Sequence, residues 1–456
     1  MKKTILLLIC FLAAFASAAN FRQFEDGERV CFVGDSITHG GSYHTFIYLF
    51  YATRFPDRDI RMYNCGVAGD TAEGTIRRFE WDVEPKHPTI ATVMLGMNDV
   101  GRDNYGLQEP TPEQINARED KLASYAENMD MLCSMLRDED AELIIIGPSI
   151  YDQSANIERE NLFGVNDALI KCVNYCRDLA GKFDAGFVDF NAPLLLINNK
   201  YQKSDASFTI VGQDRVHPGR EGHFVMAAVF LEAQNVGEYV SKTMIDVDAG
   251  NSDTVNCELS SLKISDEGVE YQCKEYALPF PAKAAIESPE KFVDFSERFN
   301  KEMIVVNGLK AGEYELLIDD VAVGSYNDQD LAAGIDISGN EKTPQYKQAV
   351  SVYEANAERA ATSYVLRSLA HVEHQMLKSA VVYPDEIDDI KPKLALKIKE
   401  AEGKSWYNYY VGQVQRYFEN KPHEKEYKDK VEKLIDQMYE INKPVSHRFV
   451  IKRLPS

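Results

Sequence analysis

Cysteine is scarce, with eight in 456 residues, and a long chain with so few is not a disulfide scaffold. Cys10 falls in the apolar start of the chain. The other seven, Cys31, Cys65, Cys133, Cys172, Cys176, Cys257 and Cys273, are odd in number and leave at least one unpaired. Cys31 and Cys65 sit in apolar runs, where a free cysteine behaves as a small core residue. Cys257 and Cys273 bracket a hairpin pattern, and a disulfide between them in an oxidising compartment is left open. Basic residues are short as well: 50 lysines and arginines face 72 acids, a formal charge of −22. Nucleic-acid affinity comes mainly from Lys and Arg on phosphates, so this balance argues against a nucleic-acid partner and against anionic membrane surfaces. Beyond the first eighteen residues no apolar run is long enough for a transmembrane helix. Gly-x-Gly-x-x-Gly and P-loop patterns are missing. The sequence therefore calls for no cofactor and no metal.

The first eighteen residues carry the pattern of an export leader: basic Met1-Lys2-Lys3, an apolar run from Thr4 to Phe15, then small Ala16-Ser17-Ala18. The run is too short to span a bilayer, and bulky Ile9 before Cys10 argues against lipid attachment. Residues 1–18 are expected to be a signal peptide, with secretion or a periplasmic destination. Their removal leaves 48 basic against 72 acidic residues, a charge of −24. An apolar content of 45% excludes wholesale disorder, and the length implies two or three domains.

From Glu28 to about Val240, short apolar runs alternate with longer amphipathic ones. Arg29–Val33, Ile60–Tyr63, Ile90–Leu95, Leu143–Ile146 and Phe187–Phe190 read as strands, several apolar on both faces as parallel strands covered by helices must be. Helices are expected at Ser42–Arg54, Thr71–Val83, Pro112–Arg137, Asn156–Ala180 and Gly219–Asn235. This alternation indicates a doubly wound α/β/α domain over 19–245 with a parallel five-stranded sheet, whose site lies at the carboxyl ends of the strands. Polar Asp246–Asp253 reads as a linker. Short alternating runs divided by turns then predict a small antiparallel β domain over 246–342. A helical, charged segment follows over 343–456, with Ser446–Leu454 as a returning strand.

Four polar clusters fall at the carboxyl edge of the expected sheet. Gly34-Asp35-Ser36-Ile37-Thr38 follows the first strand, where a serine projects from the sheet end and the next helix aims its amino-terminal dipole at developing negative charge. Asn64-Cys65-Gly66-Val67-Ala68-Gly69-Asp70-Thr71 follows the second strand and Leu95-Gly96-Met97-Asn98-Asp99 the third. Asp214-Arg215-Val216-His217-Pro218-Gly219 precedes the last helix. Together these blocks resemble those of the SGNH hydrolases, the GDSL esterase/lipase superfamily, centred on a Ser, a Gly, an Asn and a His. The resemblance covers about residues 28–240 and implies a flavodoxin-like three-layer fold and a serine esterase. It implies Ser36 as nucleophile, His217 as general base and Asp214, three residues earlier, as its orienting carboxylate. It places the oxyanion between the N–H groups of Ser36 and Gly69 and the side chain of Asn98. Asp35 and Pro218 have supporting roles, Pro218 by restricting His217 to extended backbone.

Other residues have plainer readings. Gly66 reads as a turn. His39 and His44, just after the nucleophile motif, either border substrate or, on the plainer reading, are exposed loop and helix residues, and His223 reads as a packing or capping residue. His371-Val372-Glu373-His374 is one residue short of a His-x-x-Glu-His zinc motif and reads as an exposed charged helix face. Positions 406, 410, 414 and 417, in the aromatic run starting at Trp406, describe one apolar helix face and favour core packing over sugar stacking.

The functional expectation is a secreted esterase that removes short acyl groups, chiefly acetyl, from carbohydrate, with a small ester or acylated carbohydrate as its partner. The glycan substrate is what the resemblance implies, since fold alone does not choose a substrate. A lysophospholipase or thioesterase of the same superfamily and a non-catalytic glycan-binding protein are the alternatives. Acyl length, the role of residues 246–456 and oligomeric state are left open.

Overall fold

The computed structural model describes residues 21–455 apart from positions 108 and 405; the expected signal peptide lies outside the described residues. In chain order the first unit comprises β1 (Arg29–Gly34), α1 (Ser36–Gly40), α2 (Ser42–Arg54), β2 (Arg61–Gly66), α3 (Ala72–Arg78), β3 (Ile90–Met94), α4 (Pro112–Asp138), β4 (Glu142–Gly147), α5 (Val165–Phe183), β5 (Gly186–Asp189), α6 (Asn191–Tyr201) and α7 (Arg220–Ala233). The five strands pair in parallel in the order β2-β1-β3-β4-β5. That order is the flavodoxin-like one, with its topological switch between β1 and β3.

Strand alternation builds two cores. Val30, Phe32, Ile144 and Ile146 face α2 and α7, while Cys31, Val33, Leu143 and Ile145 face α3, α4 and α5. Each fully buried branched or aromatic side chain of these layers contributes roughly 1.5–3 kcal/mol. Two helices depart from expectation. The predicted Asn156 start of α5 is displaced to Val165 because Gly164 takes φ +96° and ends helical continuation there, leaving 156–164 as a loop. Helix α6 was not anticipated. It starts where Asp189 Oδ1 accepts from the N–H groups of Asn191 and Ala192.

The remaining elements are β6 (Tyr239–Asp246), β7 (Asn251–Val255), β8 (Cys257–Ser265), β9 (Gly268–Glu275), the single turns α8 (Ala282–Ala285) and α9 (Phe295–Phe299), β10 (Lys301–Asn307), β11 (Glu313–Ile318), β12 (Val321–Asn327), α10 (Asp328–Ala333), β13 (Ile335–Asp336), α11 (Pro344–Val372), α12 (Ile387–Glu400), α13 (Tyr407–Asn420), α14 (Glu424–Ile441) and β14 (Ser446–Arg453). Residues 246–253 form no linker. They are the turn and start of a β6–β7 hairpin, closed where Asp246 accepts from Ala249 N–H and Gly250 takes φ +68°. One sheet, β12-β11-β14-β9-β8, is antiparallel. The other, β13-β10-β6-β7, is mixed, because β10 runs parallel to β6. Cys257 and Cys273 are buried free thiols. Their register is diagonal, with Cys273 opposite Leu259 and Cys257 opposite Glu275, and the two thiols lie within hydrogen-bonding reach of each other.

The expected C-terminal strand exists as β14, seated between β11 and β9. The helical segment is thus an excursion between β13 and β14. Ala349 and Val352 of α11 and Val431 and Ile435 of α14 bury into the same core as α2 and α7. On α13, Val414 and Tyr417 bury against Leu369 and Leu394, whereas Trp406, expected on that face, is exposed. No helix among the described residues is long and apolar enough to cross a membrane.

Candidate active site

β1 ends at Gly34 and the chain turns directly into α1. Asp35 caps that helix by accepting the Ile37 N–H at 3.0 Å, which leaves Ser36 at the helix start, above the sheet edge. Burial pushes the Asp35 carboxyl up to about 6 against that hydrogen bond. Ser36 Oγ lies 2.7 Å from His217 Nε2, and His217 Nδ1 lies 2.5 Å from Asp214 Oδ2. Asp214 Oδ1 also accepts the backbone N–H groups of Val216 and His217, each at 3.0 Å. Partial burial opposes the Asp214 charge, but these bonds from His217 and Val216 hold its carboxyl well below the usual range. His217 and Asp214 side chains are each 47% exposed, so this pair stands open to solvent.

The loop holding Asp214 and His217 is fixed by a residue that sequence reasoning passed over. Arg215 adopts φ +70°, unusual for a residue with a side chain, and its buried guanidinium donates to the carbonyls of Asp152, Ala155, Ile157 and Arg159. These bonds occupy the loop that replaces the expected start of α5. Pro218 bridges to Val211 across the same loop.

The second and third blocks meet at the other side of Ser36. Gly66 pairs with Gly34 at the sheet edge. It is not simply a turn residue: a Cβ there would stand 2.2 Å from the His39 backbone nitrogen, so only glycine lets α1 lie on β2. Gly69 takes φ +76°, which aims the backbone of this loop in a way L side chains resist. Asn98 Nδ2 donates to Asp70 O at 2.8 Å, tying the two blocks and leaving the second N–H of the amide for other use. Asp99 Oδ1 accepts the Ala72 N–H at 2.8 Å. Burial pushes the Asp99 carboxyl up to about 7.

Behind this loop lies a buried ionic network that the sequence did not reveal. Arg78 Nε donates to Asp70 Oδ2 at 2.7 Å and its Nη1 to Asp82 Oδ2 at 2.5 Å. From α11, Arg367 donates Nη1 and Nη2 to the two oxygens of Asp82 at 2.6 and 2.7 Å, and Nε to Gly66 O at 2.9 Å. His374 Nε2 lies 2.9 Å from Asp70 Oδ1, and Gln375 Nε2 donates to Ala68 O. Burial opposes charge on both aspartates, but Arg78 and His374 hold Asp70 at about 2, and Arg367 and Arg78 hold Asp82 well below the usual range. The expected exposed face at His371, Glu373 and His374 is therefore wrong: all three are buried. Glu373 accepts from Tyr417 and from Lys421 Nζ. His39 and His44 are buried as well, and desolvation lowers both to about 3. His39 Nδ1 accepts the Ala68 N–H, and His44 Nε2 faces Thr38 O at 3.1 Å. His223 is buried and stacks on Tyr43, as a packing residue does.

A serine hydroxyl bonded to a histidine that a carboxylate orients can be deprotonated as it attacks an acyl carbon. With a positive helix end at the serine and an amide beside it, the site defines a class: α/β/α hydrolases with the nucleophile at a strand end. The model of the GDSL-like lipase/acylhydrolase family matches residues 32–224. The solved structure of BT4096, a gut microbial diltiazem-metabolizing enzyme, is 30% identical, covers 96% of this chain and all of its own, and superposes with a TM-score of 0.85. An acetylxylan esterase from Geobacillus stearothermophilus is 25% identical over 224 residues, 46% of this chain and 94% of that protein. The chain belongs to the GDSL-like lipase/acylhydrolase family and is an ester-hydrolysing enzyme of the SGNH type.

Proposed function

We propose that this enzyme is an exported serine esterase that removes short acyl groups, acetyl foremost, from carbohydrate. Ser36 attacks the ester carbonyl, His217 takes its proton and returns it to the leaving alcohol, and Asp214 orients the ring and stabilises its charged form. The N–H groups of Ser36 and Gly69 and the amide of Asn98 receive the oxyanion. The observation that carries this reading is the line from Ser36 Oγ to His217 and on to Asp214, at 2.7 and 2.5 Å. Similarity to nearly the full length of an acetylxylan esterase supports the acetylated-sugar substrate, and the open setting of His217 suits an ester carried on a polymer. The apolar leader with its Ala16-Ser17-Ala18 end supports export. Full-length similarity to a diltiazem-metabolizing enzyme supports a second substrate class, represented by diltiazem.

The test is a substrate series: p-nitrophenyl esters of increasing chain length, acetylated xylooligosaccharides, and diltiazem. Rates should be highest for the acetate ester and the acetylated oligosaccharides. A maximum at long chains would move the assignment to a lysophospholipase or thioesterase. Turnover of diltiazem without turnover of oligosaccharide would favour the second class. Glycan binding without turnover of any ester would leave only a binding protein.

A further inference from the structure

The corner between α1 and α2, the start of α7 and the middle of α11 line a half-open cavity of about 250 Å³. His39, His44, Arg220, Asn356, Arg359 and Tyr364 are among the residues that line it. Neither an aspartate nor a glutamate does, in a chain that has 72 of them. In the chain its lining borders the active-site segments. His39 belongs to the five-residue helix that begins at Ser36, and Arg220 stands three residues after His217, yet neither Ser36 nor His217 is part of the lining.

Arg359 is the unusual member. It is 1% exposed, donates Nε to Asn356 Oδ1 at 3.0 Å and lays its guanidinium 4.7 Å from the centre of the Tyr48 ring. Among the described residues Nη2 has no hydrogen-bond partner and no carboxylate forms an ion pair with this arginine; neighbouring Glu358 pairs with Lys430 instead. Burial pulls the guanidinium below its ordinary range. The groups around it bring no negative charge: burial lowers His44 to about 3 and raises the Tyr48 phenol well above its ordinary value. A buried cation without a counter-ion is costly, and proteins keep one where an anion completes it. Arginine in particular matches a carboxylate, whose two oxygens fit its planar fork.

We propose that this cavity is a carboxylate subsite, in which Arg359 receives the acid group of a uronic-acid-type sugar next to the acylated residue of the substrate. The identity of the sugar rests on the carbohydrate-esterase reading, whereas carboxylate binding does not. A free small carboxylate, such as the acid that ester hydrolysis releases, presents the same chemistry and forms a separate arm of the test.

Calorimetric titration of the full chain with D-glucuronate, acetate and D-glucose measures the site directly. Glucuronate should bind at least about tenfold more tightly than glucose, and Arg359→Met should remove that difference, as expected for loss of a charge-assisted hydrogen bond. Hydrolysis of p-nitrophenyl acetate by Arg359→Met should stay within about twofold of wild type, because Arg359 lies outside the reacting groups. Acetate binding as tightly as glucuronate supports the carboxylate site with the released acid as its occupant. Equal binding of glucuronate and glucose, or unchanged glucuronate binding in Arg359→Met, overturns the proposal. Wild type alone provides a second readout should the variant fail to fold: acetylated oligosaccharides bearing a uronic acid should show a KM at least about tenfold below their neutral counterparts. Equal KM values contradict the uronate assignment. Inactivity on every acetylated sugar together with glucuronate binding would refute the proposed substrate while leaving the subsite intact.

Discussion

Replacing Arg367 with methionine removes one of the ties between the helical segment and the loop that carries Gly69, leaving those from His374 to Asp70 and from Gln375 to Ala68 O. The guanidinium makes three buried bonds, two to Asp82 and one to Gly66 O. Breaking a buried ion pair by deleting one partner costs about 3–5 kcal/mol. Asp82 retains Arg78, so the lower end, about 3 kcal/mol, applies here, of which roughly 1–2 kcal/mol is the unsatisfied Gly66 carbonyl. Sensitivity of melting to stability falls with chain length, to about 1–2 °C per kcal/mol by extension to a chain of this size, which gives a Tm lower by about 3–6 °C. Gly66 leads directly into Val67-Ala68-Gly69, so a loosened loop should misplace the proposed oxyanion donor and lower kcat about 10- to 100-fold with little change in KM. Lysine at 367 offers a point charge without the fork and should recover only part of both losses. Calorimetry and steady-state kinetics on p-nitrophenyl acetate measure the two effects. A variant with wild-type Tm and wild-type kcat would show that Arg367 neither holds the segment nor positions the loop.

Asn98→Ala should lower kcat about 10²- to 10³-fold and cost about 1 kcal/mol of stability through the lost bond to Asp70 O; an undiminished rate removes Asn98 from the mechanism. Arg215→Ala leaves four carbonyls without their shared donor; it should lower kcat/KM and open 152–160 to proteolysis, and an intact loop with full activity would contradict that role. Asp99, pushed up to about 7, binds a proton in the folded state between about pH 4 and 7 where the unfolded chain does not. Its contribution to stability is therefore fully present below the unfolded value and declines as pH rises through that window, by up to about 1.4 kcal/mol per pH unit. Asp99→Asn should flatten this slope in urea unfolding between pH 4 and 8, and an unchanged slope would place the titration elsewhere.

The parallel sheet was legible because its strands are apolar on both faces, as Arg29–Val33 and Leu143–Ile146 display, and such runs suit few other settings. The four polar clusters were legible because a doubly wound topology brings every carboxyl strand end to one edge. Local pattern said nothing about contacts between residues far apart in the chain. The charges at 371–374 look solvated in isolation, and only folding reveals that Asp70, 304 residues before His374, receives that ring. His39 and His44 were misread for a related reason: their burial comes from α11, which packs over α1 and α2 from the other half of the chain. Arg215 was passed over because its value lies in a left-handed backbone angle and four carbonyl partners, neither of which has a sequence signature. The hairpin at 246–253 resembles a linker in sequence because its turn residues, Asp246 and Gly250, are also those of flexible connections.

Hydrolysis of p-nitrophenyl acetate by Ser36→Ala, set beside wild type at equal concentration and with its folding verified by an unchanged Tm, tests the central claim most directly. Its kcat should fall at least about a thousandfold, leaving only what oxyanion stabilisation and binding supply without a nucleophile. A folded Ser36→Ala enzyme that turns over the ester at a rate near wild type would contradict it.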